Sequence, residues 1–219
     1  LNYLKYQWNG ATEAQVRPGS TFKIFGLAAA LINNWSLEGN YFDGNSPLEV
    51  KQGRPVRNQG DTDWGEQNLM FAAKKSINTV FVDMASKLGP RKIRKAAIDA
   101  GIPETTPGFE DPNAGIVIGI SAPRVVDMAG AYATFANGGT RIKPHLVKEV
   151  RRADGSLVDL KLPEPVRNVF DPAVINNVDA ALQGVISPDG TGFRAMALGR
   201  EAAGKTGNNE GVSIWFSGY

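Results

Sequence analysis

The chain has 219 residues, 42% hydrophobic and 21% charged, the balance of an ordinary globular domain and not of a disordered segment. Its 24 basic and 22 acidic residues leave a net charge of +2, far from that of a dedicated nucleic-acid binder. With no cysteine and one histidine, His145, disulfides, thiolate metal sites, a cysteine nucleophile and a two-histidine metal site are all excluded.

Arg17-Pro18-Gly19-Ser20 reads as a turn with a helix-start residue, followed by a buried helix to about Asn33. Its apolar run, Ile24 to Ile32, is nine residues long, against the roughly 20 a membrane span needs. Residues 34–65 are rich in Gly, Asn, Asp and Pro and read as a long loop, of the kind that borders a site. Helices are predicted over Gln67–Lys75 and Thr79–Leu88, broken at Ser76-Ile77-Asn78 and stopped at Gly89-Pro90. Arg91–Ala100 is a basic amphipathic helix whose cations read as a solvated face.

Ser121-Ala122-Pro123 is predicted to open the next helix and Gly138-Gly139 to end it. Asp154-Gly155 lies between two strand-like runs, Ile142–Val150 and Leu157–Leu162, a hairpin signal. Asp171-Pro172 opens a helix to about Ile186. Ala203–Thr206 and Val212–Tyr219 read as strands joined through Asn208-Asn209-Glu210-Gly211, a second hairpin. The chain does not start with methionine and ends on a strand that reads as cut short, so it is expected to be an excerpt.

Three short motifs follow one another: Ser20-Thr21-Phe22-Lys23, Ser76-Ile77-Asn78 and Lys205-Thr206-Gly207. At ordinary residue frequencies a chain of this size shows about one Ser-x-x-Lys by chance, so order and context carry the weight. Residues i and i+3 share a helix face, so Ser20 at a helix start and Lys23 one turn on can meet. A neutral lysine can take the serine proton, and burial or a second cation such as Lys205 favours that neutral form. The free N–H groups of a helix start suit a developing oxyanion, and a glycine after Lys-Thr lets a ligand approach the backbone. Taken singly, Lys23 reads as a surface lysine, Ser76 and Asn78 as a helix cap, and Asn208 as a turn residue.

The trio is the signature of class A β-lactamases and penicillin-binding proteins, and the chain resembles the transpeptidase domain of a class A penicillin-binding protein. Arg17 to Lys23 is similar to that family's nucleophile segment. Residues 131–139 with Lys143-Pro144-His145 resemble a family segment without a catalytic role, and Trp215 to Tyr219 resembles the strand after Lys-Thr-Gly. The likeness runs from about residue 17 to the C-terminus.

The resemblance implies an α/β fold in which an antiparallel sheet is flanked by helices, with a helical subdomain carrying Ser76 and Asn78 and the site in the cleft between. It implies one domain over residues 1–219, incomplete at both ends. Ser20 would attack the penultimate D-alanine carbonyl of a D-Ala-D-Ala stem peptide, with Lys23 as base. Ser76 would relay a proton to the leaving group, and Asn78 would hold the peptide amide and Lys23. Lys205, Thr206, Gly207 and Asn208 would face the substrate, its carboxylate lying against Lys205 and Thr206. The N–H groups of Ser20 and Asn208 would form the oxyanion hole. An amine of a second stem peptide would then take the acyl group and cross-link peptidoglycan, and β-lactams would acylate the same serine. No cofactor, metal or nucleic acid is implied. A membrane anchor and a glycosyltransferase domain are expected upstream, with the domain on the extracytoplasmic face of a bacterial membrane.

The family usually has threonine after Lys-Thr-Gly, where this chain has Asn208-Asn209. That keeps the backbone N–H and loses a hydroxyl. Glu164 and Asn168 have the spacing of the β-lactamase deacylation loop, but Arg167 and the distance from Ser76 do not fit it. Catalysis by His145 is not expected, and Trp64 and Tyr41 read equally as groove lining or core. The competing functions are a D,D-carboxypeptidase or β-lactamase, told apart by the lifetime of the acyl-enzyme, and a penicillin-sensing domain acylated once.

Overall fold

The computed structural model describes residues 7–51, 53–209 and 211–219. Its centre is α1, Lys23–Ile32, entered through a 3₁₀ turn over Gly19–Phe22. Every residue from Lys23 to Ala30 is buried, as expected of a helix that is apolar on all sides. Around it pack α3 (Asn78–Leu88), α4 (Pro90–Ala100) and α6 (Pro172–Val185). An aromatic chain runs through this core. Phe22 meets Phe25 edge-on at 4.6 Å, Phe25 lies 6.3 Å from Phe135, and Phe135 stacks on Phe170 at 5.0 Å.

The punctuation read from the sequence sets most boundaries. Gly89 separates α3 from α4, which has Pro90 in its first turn. Asp171 Oδ1 accepts the Ala173 N–H at 2.8 Å at the start of α6. Two helices start later than predicted. Gln67 belongs to β2, Glu66–Asn68, which pairs antiparallel with β1, Tyr41–Asp43, inside the long loop region. Asn68 then caps α2, Leu69–Lys75, by accepting the Phe71 N–H at 2.9 Å. The α5 helix spans Val125–Ala136 and starts after Pro123, not at Ser121. Proline disfavours helical backbone in the residue before it, and Asp127 instead takes the Arg124 guanidinium through two bonds of 2.7 Å.

The first predicted hairpin forms a turn without strands. Gly155 N–H donates to Arg152 at 2.9 Å and Arg151 bridges Leu157, but no ladder extends from there. Leu146, Val147, Val150 and Leu157 are all exposed, so neither run has a surface to pack on, and strand propensity without burial is weak. The second hairpin is a full ribbon. Strand β3, Gly204–Asn209, pairs antiparallel with β4, Ser213–Gly218, setting Lys205 opposite Ser217 and Gly207 opposite Trp215. Glu210 of its turn lies outside the described residues. Among the described residues the sheet content is these two separate two-stranded pairs.

Candidate active site

The three motifs converge where the end of α2, the start of α1 and strand β3 meet. Ser20 lies in the 3₁₀ turn, partly exposed, and Lys23 opens α1 with its side chain fully buried. Lys23 Nζ donates to the Ser76 carbonyl oxygen at 2.8 Å and to Asn78 Oδ1 at 2.8 Å, and lies 3.2 Å from Ser76 Oγ. Lys205 Nζ, also fully buried, donates to Ser76 Oγ at 2.8 Å. It lies 3.2 Å from the Thr206 carbonyl oxygen and 3.4 Å from Thr206 Oγ1. Ser76 Oγ thus stands between two lysine nitrogens.

Local backbone explains how Ser76 offers two oxygens to Lys23. It ends α2 in the left-handed region, φ 58° and ψ 40°, while Ile77 N–H reaches back to the Ala72 carbonyl at 3.0 Å. A non-glycine residue there stores on the order of 1–2 kcal/mol. Asn78 is oriented from its other end, since its Nδ2 donates to the Arg57 carbonyl at 3.0 Å. The long loop region therefore does border the cluster, and buried Asn58 anchors it through Gly44, Thr62 and Thr79.

The turn carrying Ser20 and strand β3 touch through glycines. A Cβ on Gly207 would stand 2.4 Å from the Pro18 carbonyl oxygen. Gly19, at φ +57°, would place one 2.8 Å from the Asn208 carbonyl oxygen. Any side chain at either position would push the strand off the turn. From behind, Tyr132 Oη donates to the Thr21 carbonyl at 2.7 Å within the core, and Ser213 Oγ donates to the Arg17 carbonyl at 2.8 Å from the ribbon. Tyr132 lies in the segment read as having no catalytic role, and its contact spans 111 positions, beyond any local motif.

Both lysines are shifted toward the neutral form. Burial, then the neighbouring Lys205 charge, holds Lys23 well below its usual value, and burial lowers Lys205 to about 7. The Lys205 charge beside it thus adds to burial in favouring the neutral Lys23 amine. A neutral amine has two N–H groups and one lone pair. Ser76 carbonyl and Asn78 Oδ1 match the two donors, which leaves the lone pair toward Ser76 Oγ. That hydroxyl already accepts from Lys205, so a directed chain runs from Lys205 through Ser76 to Lys23.

The other sequence candidates lie elsewhere. His145 is exposed, its Nδ1 3.0 Å from the Lys143 carbonyl. Glu164 is exposed in a segment bridged to Arg141, which binds carbonyls at the end of α4. Trp64 packs edge-on against Phe71 at 5.7 Å, while Tyr41 lines an open groove between α2 and α6. Asn208 is exposed and its Oδ1 accepts the Gly211 N–H at 3.1 Å inside the ribbon turn.

The penicillin-binding protein transpeptidase domain family matches residues 2–219, and the chain belongs to that family. It is 34% identical to penicillin-binding protein 1A of Mycolicibacterium smegmatis, the match covering 94% of this chain and 28% of the relative. It is 36% identical to penicillin-binding protein 1A of Mycobacterium tuberculosis, covering 94% of this chain and 27% of that one. The chain thus spans less than a third of the length of these curated relatives. Its fold is similar to the Mycobacterium tuberculosis PonA1 protein in complex with penicillin V, with TM-score 0.82 and 34% identity over 97% of this chain and 59% of that one. It also superposes on Haemophilus influenzae penicillin-binding protein 1A with TM-score 0.86 at 20% identity, over 99% of this chain and 38% of that one. The α/β fold and the penicillin-binding class expected from the motifs are those found.

Proposed function

We propose that the chain is a D,D-transpeptidase domain that forms an acyl-enzyme on Ser20, and that it occupies residues 1–219 as one domain of a longer class A protein. The observation that carries this reading is the single hydroxyl of Ser76 held between two buried lysines, 3.2 Å from Lys23 and 2.8 Å from Lys205. Such a chain can move a proton without a histidine.

In acylation, the Lys23 lone pair turns from Ser76 to Ser20 and takes its proton as Oγ attacks the penultimate D-alanine carbonyl. The backbone N–H groups of Ser20 and Asn208, on the turn and strand that the glycines bring together, face the developing oxyanion. Collapse of the tetrahedral centre breaks the peptide bond. The leaving amine receives a proton from Ser76, which is resupplied from Lys23. Lys205 and Thr206 face the terminal carboxylate, with Gly207 keeping the strand open to the peptide backbone. An amine of a second stem peptide then attacks the ester, and its proton returns along the same path. A β-lactam takes the place of D-Ala-D-Ala and stays on Ser20. Glu164 is exposed and outside these contacts, and among the described residues no other carboxylate bonds to this cluster, so the acyl-enzyme should persist for minutes or longer. A membrane anchor and glycosyltransferase domain would accompany this domain in the whole protein, on the extracytoplasmic face. Among the described residues no helix is long and apolar enough to cross a membrane.

Intact mass spectrometry after incubation with a fluorescent penicillin tests the reading. One adduct should appear, peptide mapping should place it between Arg17 and Lys23, and Ser20→Ala should abolish it. A label on another serine, or one that survives in Ser20→Ala, would overturn the assignment. Rapid turnover of a chromogenic cephalosporin would identify a hydrolase instead.

A further inference from the structure

Among the described residues, one hydroxyl from outside the three motifs reaches the cluster. Thr191 Oγ1 lies 2.7 Å from Thr206 Oγ1, an approach from the turn that follows α6. That turn, residues 187–192, is fastened to the end of α2. Lys74 Nζ pairs with Asp189 Oδ1 at 2.6 Å and Lys75 Nζ with Oδ2 at 3.3 Å. Lys75 also donates to the Asp189 carbonyl at 2.7 Å, and the Thr191 N–H donates to the Lys74 carbonyl at 3.2 Å. An isolated exposed ion pair contributes little, but here two cations, one carboxylate and two backbone carbonyls act on one short turn. Lys74 and Lys75 directly precede Ser76. The dipeptide that leads into one motif therefore grips the turn that touches another.

Either hydroxyl can donate in the threonine–threonine bond, and counting shows what each direction leaves free for a ligand. A hydroxyl has one proton and two lone pairs. Thr206 Oγ1 already faces Lys205 Nζ at 3.4 Å, which takes one lone pair. If Thr206 donated to Thr191, it would have no proton left for a ligand. If Thr191 donates, both Thr206 lone pairs are engaged and its O–H is free beside Lys205. Asn208 supplies no hydroxyl, and its side-chain oxygen is engaged in the ribbon turn.

We propose that Thr191 is a positioning residue of the carboxylate subsite. Its hydroxyl donates to Thr206 and aims the Thr206 O–H at a ligand carboxylate, and the Lys74–Lys75–Asp189 clamp keeps it there. This inference rests on the transpeptidase reading above.

The test compares second-order acylation of Ser20 by benzylpenicillin and by its methyl ester, which lacks the charged carboxylate. Thr191→Val should slow the free acid by roughly three- to tenfold, the size of one neutral hydrogen bond, and leave the ester nearly unchanged. Thr191→Ser should restore the wild-type ratio. Asp189→Asn should give a smaller loss confined to the free acid, and it carries the test alone if Thr191→Val does not fold. An equal loss on both compounds, or none on either, overturns the inference while leaving the acyl-enzyme intact. If neither compound labels Ser20 in the wild type, the transpeptidase reading falls, and this one with it.

Discussion

The helical side and the ribbon side of the cleft are built differently. The α1 face is a closed core in which Phe22, Ile24, Phe25 and Leu27 have no exposed surface. Among the described residues β3 and β4 each pair only with the other, and Ile214 and Phe216 are 84% and 49% exposed. Lys23 is fixed by its helix and by three oxygens of the break between α2 and α3. Lys205 is fixed by a strand held to the rest through discrete ties: Ser213 to Arg17, Thr206 to Thr191, and Tyr219 to Asp179 on α6. The contrast divides the labour. On the proposed reading, helical packing supplies the desolvated base, and the ribbon brings a second buried lysine and a backbone edge to it.

Removing the ribbon's cation is the largest way to break that division. Lys205→Ala should leave the helical core folded yet slow acylation roughly 30- to several-thousand-fold, since losing one partner of a desolvated pair costs about 2–5 kcal/mol. Stopped-flow labelling alongside a melting curve checks it. An acylation rate near wild type would place the carboxylate on the turn side chains instead.

Acidity sharpens the same contrast through stability. Lys23 and Lys205 bind their protons less tightly folded than unfolded, so between about pH 7 and 10 the unfolded chain holds more protons and stability rises with pH. Each lysine contributes at most about 1.4 kcal/mol per pH unit in that window. The gain is complete only above the ordinary lysine value and is lost as pH falls through the folded one. Above pH 10 buried Tyr132, its phenol pushed up by burial, works in the opposite direction. Denaturant melts from pH 7 to 9.5 should steepen accordingly, and Lys205→Met should roughly halve the slope by leaving Lys23 alone. An unchanged slope would mean that Lys205 is charged throughout.

The ties themselves should rank by burial. Tyr132→Phe removes a buried hydrogen bond to the Thr21 carbonyl, a loss of about 1–3 kcal/mol of stability. Ser213→Ala removes a tie at the surface and should stay under about 1 kcal/mol. Urea denaturation of both variants tests this, and equal losses would show that the ribbon is as deeply anchored as the helices.

What was legible in the sequence were features whose cause is local. Pro172 behind Asp171 starts α6, Gly89-Pro90 parts α3 from α4, and the three motifs mark Lys23, Ser76, Asn78 and Lys205, which do meet. The strands predicted over Ile142–Val150 and Leu157–Leu162 were misleading because β-propensity depends on a surface to pack against, and theirs faces outward. The late start of α5 depended on an Arg124–Asp127 pair that competes with the Ser121 signal. Tyr132 and Thr191 were illegible as site residues, because each acts on a motif residue brought to it by packing of distant segments, which no local pattern records.

Among the described residues neither Lys23 nor Lys205 is bonded to a carboxylate: their partners are two hydroxyls, two carbonyls and an amide oxygen. A proton on either lysine therefore has no carboxylate counter-ion among the described residues. On the proposed reading, a substrate carboxylate supplies that counter-charge. Phosphate or sulfate should then compete for the same place and slow acylation, which labelling rates in different supporting electrolytes at equal ionic strength would check.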